Sequence, residues 1–116
     1  MEDAPVADLT SRRCVPCEGG TPPLEPDVIK ELRQQVDAAW DLHEGKRLRR
    51  AFKFGDFTDA FGFATRVALV AESEGHHPDF ELGWGRVVLE LTTHAAGGLT
   101  DNDFIMAAKI DQLAGR

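Results

Sequence analysis

The sequence predicts an α+β fold: a four-stranded antiparallel sheet with three helices packed on one face, in the order α-β-β-α-β-β-α. Three observations carry this reading. Apolar residues recur at helical spacing in three segments, and shorter runs between them alternate as half-buried strands do. Glycines at Gly45, Gly83 and Gly85 separate the strands of each pair by so little chain that the pairs must be antiparallel. Helices gathered on one face of such a sheet form a two-layer sandwich.

Residues 1 to about 25 read as an extension rich in proline and glycine, with Cys14-Val15-Pro16-Cys17, Gly19-Gly20 and Pro22-Pro23. The folded domain is expected over 26–116. Its first helix starts at Pro26, a favoured first-turn residue, and Ile29, Leu32, Val36 and Trp40 mark its buried face. Around Asp41 to His43 a short strand turns at Glu44-Gly45 into the strand of residues 46–54. There Leu48, Phe52 and Phe54 fall on one side and Arg47, Arg49 and Lys53 on the other.

Asp56 is the expected N-cap of the central helix, with Asp59 in its first turn. Phe63, Val67 and Val70 face the core, and Ala60, Ala64, Ala68 and Ala71 permit close packing. The helix should run to about Gly75, because Pro78 forbids much continuation. Residues 79–84 and 86–93 form the second strand pair, with Val87, Leu89 and Leu91 on one face. Ala95-Ala96-Gly97-Gly98 is a loop. Thr100 and Asp103 then make a near-match to a capping box for the last helix, which Met106, Ile110 and Leu113 continue.

Composition narrows the function. The chain has 116 residues, enough for one domain, and 42% of them are apolar. Its formal charge is −7, from 13 basic and 20 acidic residues. Such a balance speaks against nucleic acid and anionic lipid as partners. The one basic run, Lys46-Arg47-Leu48-Arg49-Arg50, reads as a solvated strand face. No stretch approaches the ~20 apolar residues of a membrane span, so no membrane partner is expected. The acidic start, Met1-Glu2-Asp3-Ala4-Pro5, carries no signal-peptide pattern, and a cytoplasmic location is expected. Two cysteines fit that placement, since secreted disulfide scaffolds of this size usually carry more.

Three of the four histidines lie within nineteen residues: His76 and His77 at the end of the central helix, and His94 at the end of the last strand. Neighbouring elements of a small sandwich can bring these ends together. With an ordinary pKa of about 6.5, histidine both gives and takes protons near neutral pH. The residues alone leave three alternatives: an acid–base site, a zinc site, or surface and helix-dipole histidines. Zinc is disfavoured by the lack of a His-Glu-x-x-His helix and of a second Cys-x-x-Cys. Cys14 and Cys17 read either as free thiols on a tethered arm or as half of a site shared between subunits.

The pattern Glu72-x-x-x-His76-His77-Pro78, five residues to Trp84, nine to His94 and eight to Asp103 resembles the full signature of the pterin-4a-carbinolamine dehydratase family. Phe52-Lys53-Phe54-x-Asp56-Phe57 and Gly98-Leu99-Thr100-x-Asn102-Asp103-Phe104 extend the similarity. The Cys14-Val15-Pro16-Cys17-x-Gly19-Gly20 stretch resembles the extension of many bacterial members.

The resemblance implies a lyase that removes water from a 4a-hydroxy-tetrahydropterin to give quinonoid dihydropterin. That reaction supports tetrahydropterin recycling after aromatic amino acid hydroxylation, so a hydroxylase in the same pathway is an implied partner. No metal or organic cofactor is implied; the pterin is the substrate. By position, His76 and His94 would exchange protons at the 4a carbon, in an order left open, and His77 would bind, orient and assist. Glu72 would hold one imidazole. Trp84 would give the pterin a flat wall or serve as a core aromatic. Asp103 would assist the site or only cap its helix. Gly75, Pro78, Thr92 and Thr93, beside the histidines, would contact the substrate.

The resemblance also implies a homo-oligomer, a dimer or a tetramer built as a dimer of dimers. It admits a different class of function as well. Relatives act as non-catalytic binding proteins, one kind assisting Rubisco assembly in carboxysomes and another serving as a dimerisation cofactor in transcription. Those roles do not require the histidine set.

Overall fold

The computed structural model describes residues 8–17 and 19–115. The acidic stretch 1–5 lies outside the described residues. The chain folds as helix α1 (Pro26–Arg33), strands β1 (Asp41–His43) and β2 (Arg47–Lys53), helix α2 (Phe57–Glu74), strands β3 (Asp79–Gly83) and β4 (Arg86–Leu91), and helix α3 (Asp101–Leu113). The sheet is antiparallel throughout, in the order β1-β2-β4-β3. This is the α+β sandwich that the alternation and spacing predict.

The expected ends of the long helix are present. The Asp56 carboxylate accepts from the Asp59 N–H at 2.8 Å, and Gly75 closes the helix in the left-handed region at φ 70°. That conformation costs an L side chain about 1–2 kcal/mol, so glycine is the residue suited to it. Thr100 and Asp103 form a complete capping box at the start of α3. In the β3–β4 turn, a Cβ on Gly85 would stand 2.8 Å from the Phe54 carbonyl oxygen. The close approach lets the Phe54 N–H donate to the Gly85 carbonyl.

Alternation sorts the sheet faces as expected. Leu48 and Phe52 stand opposite Leu91 and Val87 in register, and all four are buried toward the helices with Leu89. Phe52, Phe54 and Phe63 form a ring cluster with centroids 4.7 and 5.2 Å apart. Burying one such side chain contributes about 1.5–3 kcal/mol. On the opposite face Arg49 bridges Glu81 and Glu90, at 3.0 and 3.6 Å, and Arg47 meets Glu90. The basic run is thus largely a paired, solvated face. Its exception is Arg50, which alternation turns inward onto Asp111 at 2.6 Å.

Three local expectations need correction. Helix α1 ends at Arg33, so Val36 and Trp40 lie beyond it. Trp40 is still fully buried, because its indole N–H donates to Asp111 at 2.7 Å. Ala68 is exposed, on the outer side of α2. The loop after β4 contains one turn of 3-10 helix, His94–Ala96.

Candidate functional site

Helix α2, the segment after β4 and the start of α3 converge at one end of the sandwich. His76 follows Gly75, where the left-handed residue turns the chain out of α2. His94 begins the 3-10 turn that follows β4. These ends border a cleft of about 330 Å³ that is lined by Gly75, His76, His77, Thr92, Thr93 and His94. A second depression on the far side of His94 shares Thr92 and Thr93 and adds Lys46, Asp79 and Glu90. His94 therefore stands exposed between two hollows, whereas the side chain of His76 is 12% exposed.

The carboxylate partners differ from the simplest reading of the spacing. The Nε2 of His76 lies 2.6 Å from Oδ1 of fully buried Asp103. The other oxygen, Oδ2, accepts from the Thr100 N–H at 2.9 Å and from the Thr93 hydroxyl at 2.8 Å. Asp103 thus caps its helix and holds a histidine together. Glu72, four residues before His76, pairs instead with the Nε2 of His77 at 2.8 Å, and both groups are largely exposed. The chain leaves the helix at Gly75, so the i, i+4 rule no longer relates Glu72 to His76.

Other expected contacts are placed as follows. Thr93 lines the cleft, but its N–H donates to the Gly98 carbonyl and its carbonyl accepts from Ala96 and Gly98. Its backbone is therefore engaged within the protein. The Gly75 N–H closes α2 on the Ala71 carbonyl, and the Thr92 hydroxyl donates to the Lys46 carbonyl. Pro78 is buried. Trp84 is neither a core aromatic nor a lining residue of this cleft: it is 69% exposed in the β3–β4 turn.

The cleft also has a wall that spacing did not reveal. Val15, Pro16 and Cys17 line it, together with Ala95 and Asn102. The described residues of the stretch before α1 are not detached from the domain. Leu9 is buried in the core, and Leu24 donates its N–H to the Leu99 carbonyl at 2.8 Å. Composition shows that this stretch resists regular structure, but it carries no period from which docking could be read. Both cysteines are free thiols. Burial, helped by the carboxylate of Glu74, pushes the Cys14 thiol up to about 12, so it stays protonated at neutral pH. Among the described residues no group of three or more His, Cys, Asp or Glu side chains could hold a metal ion.

A buried carboxylate–imidazole pair beside two more histidines can move protons on a bound molecule. Comparison with known proteins places the chain in a family. Residues 22–113 match the family model described as pterin 4 alpha carbinolamine dehydratase. A Rickettsia bellii protein named "Putative pterin-4-alpha-carbinolamine dehydratase" is 45% identical over 105 residues, covering 90% of this chain and 93% of that one. The crystal structure of a transcriptional coactivator/pterin dehydratase from Brucella melitensis superposes with a TM-score of 0.74 at 37% identity, over 80% of this chain and 99% of that one. A pterin dehydratase-like protein identified as a RuBisCO assembly factor in the alpha-carboxysome superposes at 0.57 with 25% identity, over 66% and 90% of the two chains. The chain belongs to the pterin-4-alpha-carbinolamine dehydratase family.

Proposed function

We propose that the protein is a hydro-lyase that eliminates water from a 4a-hydroxy-tetrahydropterin and releases quinonoid dihydropterin. The observation that carries the reading is the meeting of His76, His77 and His94 in one cleft, with His76 held by Asp103 at 2.6 Å.

The elimination needs one proton removed and one delivered. A base takes the proton from N5, the N5 electron pair forms the C4a=N5 double bond, and the C4a–O bond breaks. An acid protonates the departing hydroxyl, which leaves as water. A carboxylate is an acceptor, so Asp103 favours the His76 tautomer that carries its proton on Nε2. That leaves Nδ1 of His76 as the basic nitrogen, and in this reading His76 takes the N5 proton. His94 then serves as the acid at the hydroxyl. His77, steadied by Glu72, binds and orients the ring. Each proton transfer is worth roughly 10²–10⁴-fold.

The pterin is substrate here, and the chemistry calls for no further cofactor. The class of reaction that supplies it is the hydroxylation of an aromatic amino acid at the expense of tetrahydropterin. A homo-oligomer is part of the proposal, and so is a cytoplasmic location; no helix among the described residues is long and apolar enough to cross a membrane.

The test is stopped-flow absorbance of 4a-hydroxy-tetrahydropterin decay with chelator-treated protein. We expect decay well above that in buffer. An unchanged rate sinks the lyase reading and leaves the non-catalytic binder, for which Phe57, Phe61 and Leu69, exposed along α2, offer a docking face.

A further inference from the structure

One wall of the histidine cleft comes from outside the sheet and the three helices. Val15, Pro16 and Cys17 line the cleft, and they also border a second hollow beside Thr21, Leu24 and Thr100. The arm is thus a partition, one chain thick, between two depressions. It also precedes residue 22, where the match to the family model begins.

The arm is held at the two helix ends that carry the site. At the end of α2, Arg13 donates to the Ser73 carbonyl at 3.2 Å, and the Cys14 N–H donates to Glu74 Oε1 at 2.8 Å. Glu74 is itself fixed by Lys109 at 2.8 Å. At the start of α3, Asn102 grips the Val15 peptide from both sides. Its Oδ1 accepts from the Val15 N–H at 3.0 Å, and its Nδ2 donates to the Val15 carbonyl at 2.6 Å and to Cys17 Sγ at 3.4 Å. Asn102 is 4% exposed and adjoins Asp103, the partner of His76. One turn of α3 therefore fixes both a proton-transfer histidine and the arm that walls the cleft.

We propose that Val15, Pro16 and Cys17 form the specificity wall of the pterin cleft, contacting the ring's 6-substituent, with Asn102 as the positioning residue. This rests on the lyase reading above and deepens it. The wall offers an isopropyl group, a pyrrolidine ring and a thiol, with no charge. The pyrimidine edge of a pterin carries several hydrogen-bonding groups and would lose them against such a surface. The 6-substituent and the adjoining ring edge have less to lose there. Holding the wall through one buried amide makes its position depend on a single residue.

The test uses the full chain with two stable probes, L-biopterin and 6-methylpterin, titrated by fluorescence. Carbamidomethylation of Cys17 at pH 8 is followed by peptide mass, and half-buried Cys14, whose thiol is held protonated beside Glu74, stays largely unreacted. We expect L-biopterin to slow Cys17 modification by about fivefold or more. We expect Asn102→Ala to weaken L-biopterin about tenfold but 6-methylpterin by less than about threefold, and to remove the protection of Cys17. Asn102→Asp, which keeps the acceptor for the Val15 N–H, should fall between. If Asn102→Ala does not fold, Cys17→Phe, on the arm and away from the core, should exclude L-biopterin by filling the cleft. If wild-type protein binds L-biopterin while Cys17 reacts unhindered, and the folded variants bind as it does, the wall is overturned and the lyase reading stands. Failure of wild-type protein to bind either pterin overturns both.

Discussion

The two oxygens of Asp103 divide between scaffold and site, Oδ2 capping α3 and Oδ1 meeting His76. Sequence spacing identified both the cap and the histidine, but not that one carboxylate serves both. On the proposed lyase reading His76 and His94 serve one substrate from separate elements, so His76→Ala and His94→Ala should each lower turnover by roughly 10²-fold or more with circular dichroism unchanged. The double variant should lose less than the product of the single effects, because the two residues act as a unit. Near-normal turnover in either single variant removes that residue from proton transfer. Glu74 yields a second prediction. Burial alone would raise its carboxyl, but Lys109, the Cys14 N–H and Arg13 together outweigh burial and hold it below the ordinary value of 4.5. A depressed carboxyl stabilises the fold above its unfolded pKa, and that stability is lost as pH falls through the folded one. Glu74→Gln should therefore lower the urea midpoint most near pH 7. The difference should shrink as pH falls below about 4.5. A constant difference from pH 7 to 3 would show that ionisation of Glu74 contributes nothing.

Among the elements, the end of α2 matters most for the site. Its stop at Gly75 was legible in the sequence, because a proline three residues on forbids helix and glycine tolerates the left-handed turn. A Cβ at Gly75 would meet nothing within 4 Å, so Gly75→Ala tests the backbone alone. It should cost about 1–2 kcal/mol in urea unfolding and should lower turnover by displacing His76 and His77. An unchanged midpoint would mean that the chain can leave α2 another way. Helix α1 was less legible. Its apolar period continues through Val36 to Trp40, yet the helix stops at Arg33. Tertiary contacts decide this: Asp111 accepts from both the Asp37 N–H and the Trp40 indole, which pulls that segment onto α3.

For the molecule as a whole, the homo-oligomer that the family resemblance implies needs an apolar surface to bury. The sheet face turned away from the helices offers little, because Val88, an apolar residue of that face, is 5% exposed among paired arginines and glutamates. The exposed apolar surface lies elsewhere. Phe57, Phe61 and Leu69 share the outer side of α2, and Phe80 and Leu82 lie along the edge strand β3. Edges and apolar stripes of this kind are commonly covered by a second copy across a two-fold axis. Light scattering at micromolar concentration should give two or four times 12.7 kDa. A mass near 12.7 kDa would rule out the homo-oligomer.

By itself the sequence determined the element order, the strand faces that follow from alternation, the caps of α2 and α3, and the grouping of three histidines at two element ends. These are local properties: period, turn chemistry and capping act within a few residues of chain. The tertiary structure decided which carboxylate meets which histidine, that Trp84 stands in solvent, and that an arm without periodicity lines the cleft. The Val15–Asn102 contact spans 87 residues. No local preference specifies such a contact; it forms because the folded helix ends supply partners for backbone groups that would otherwise be left unpaired where the arm packs down.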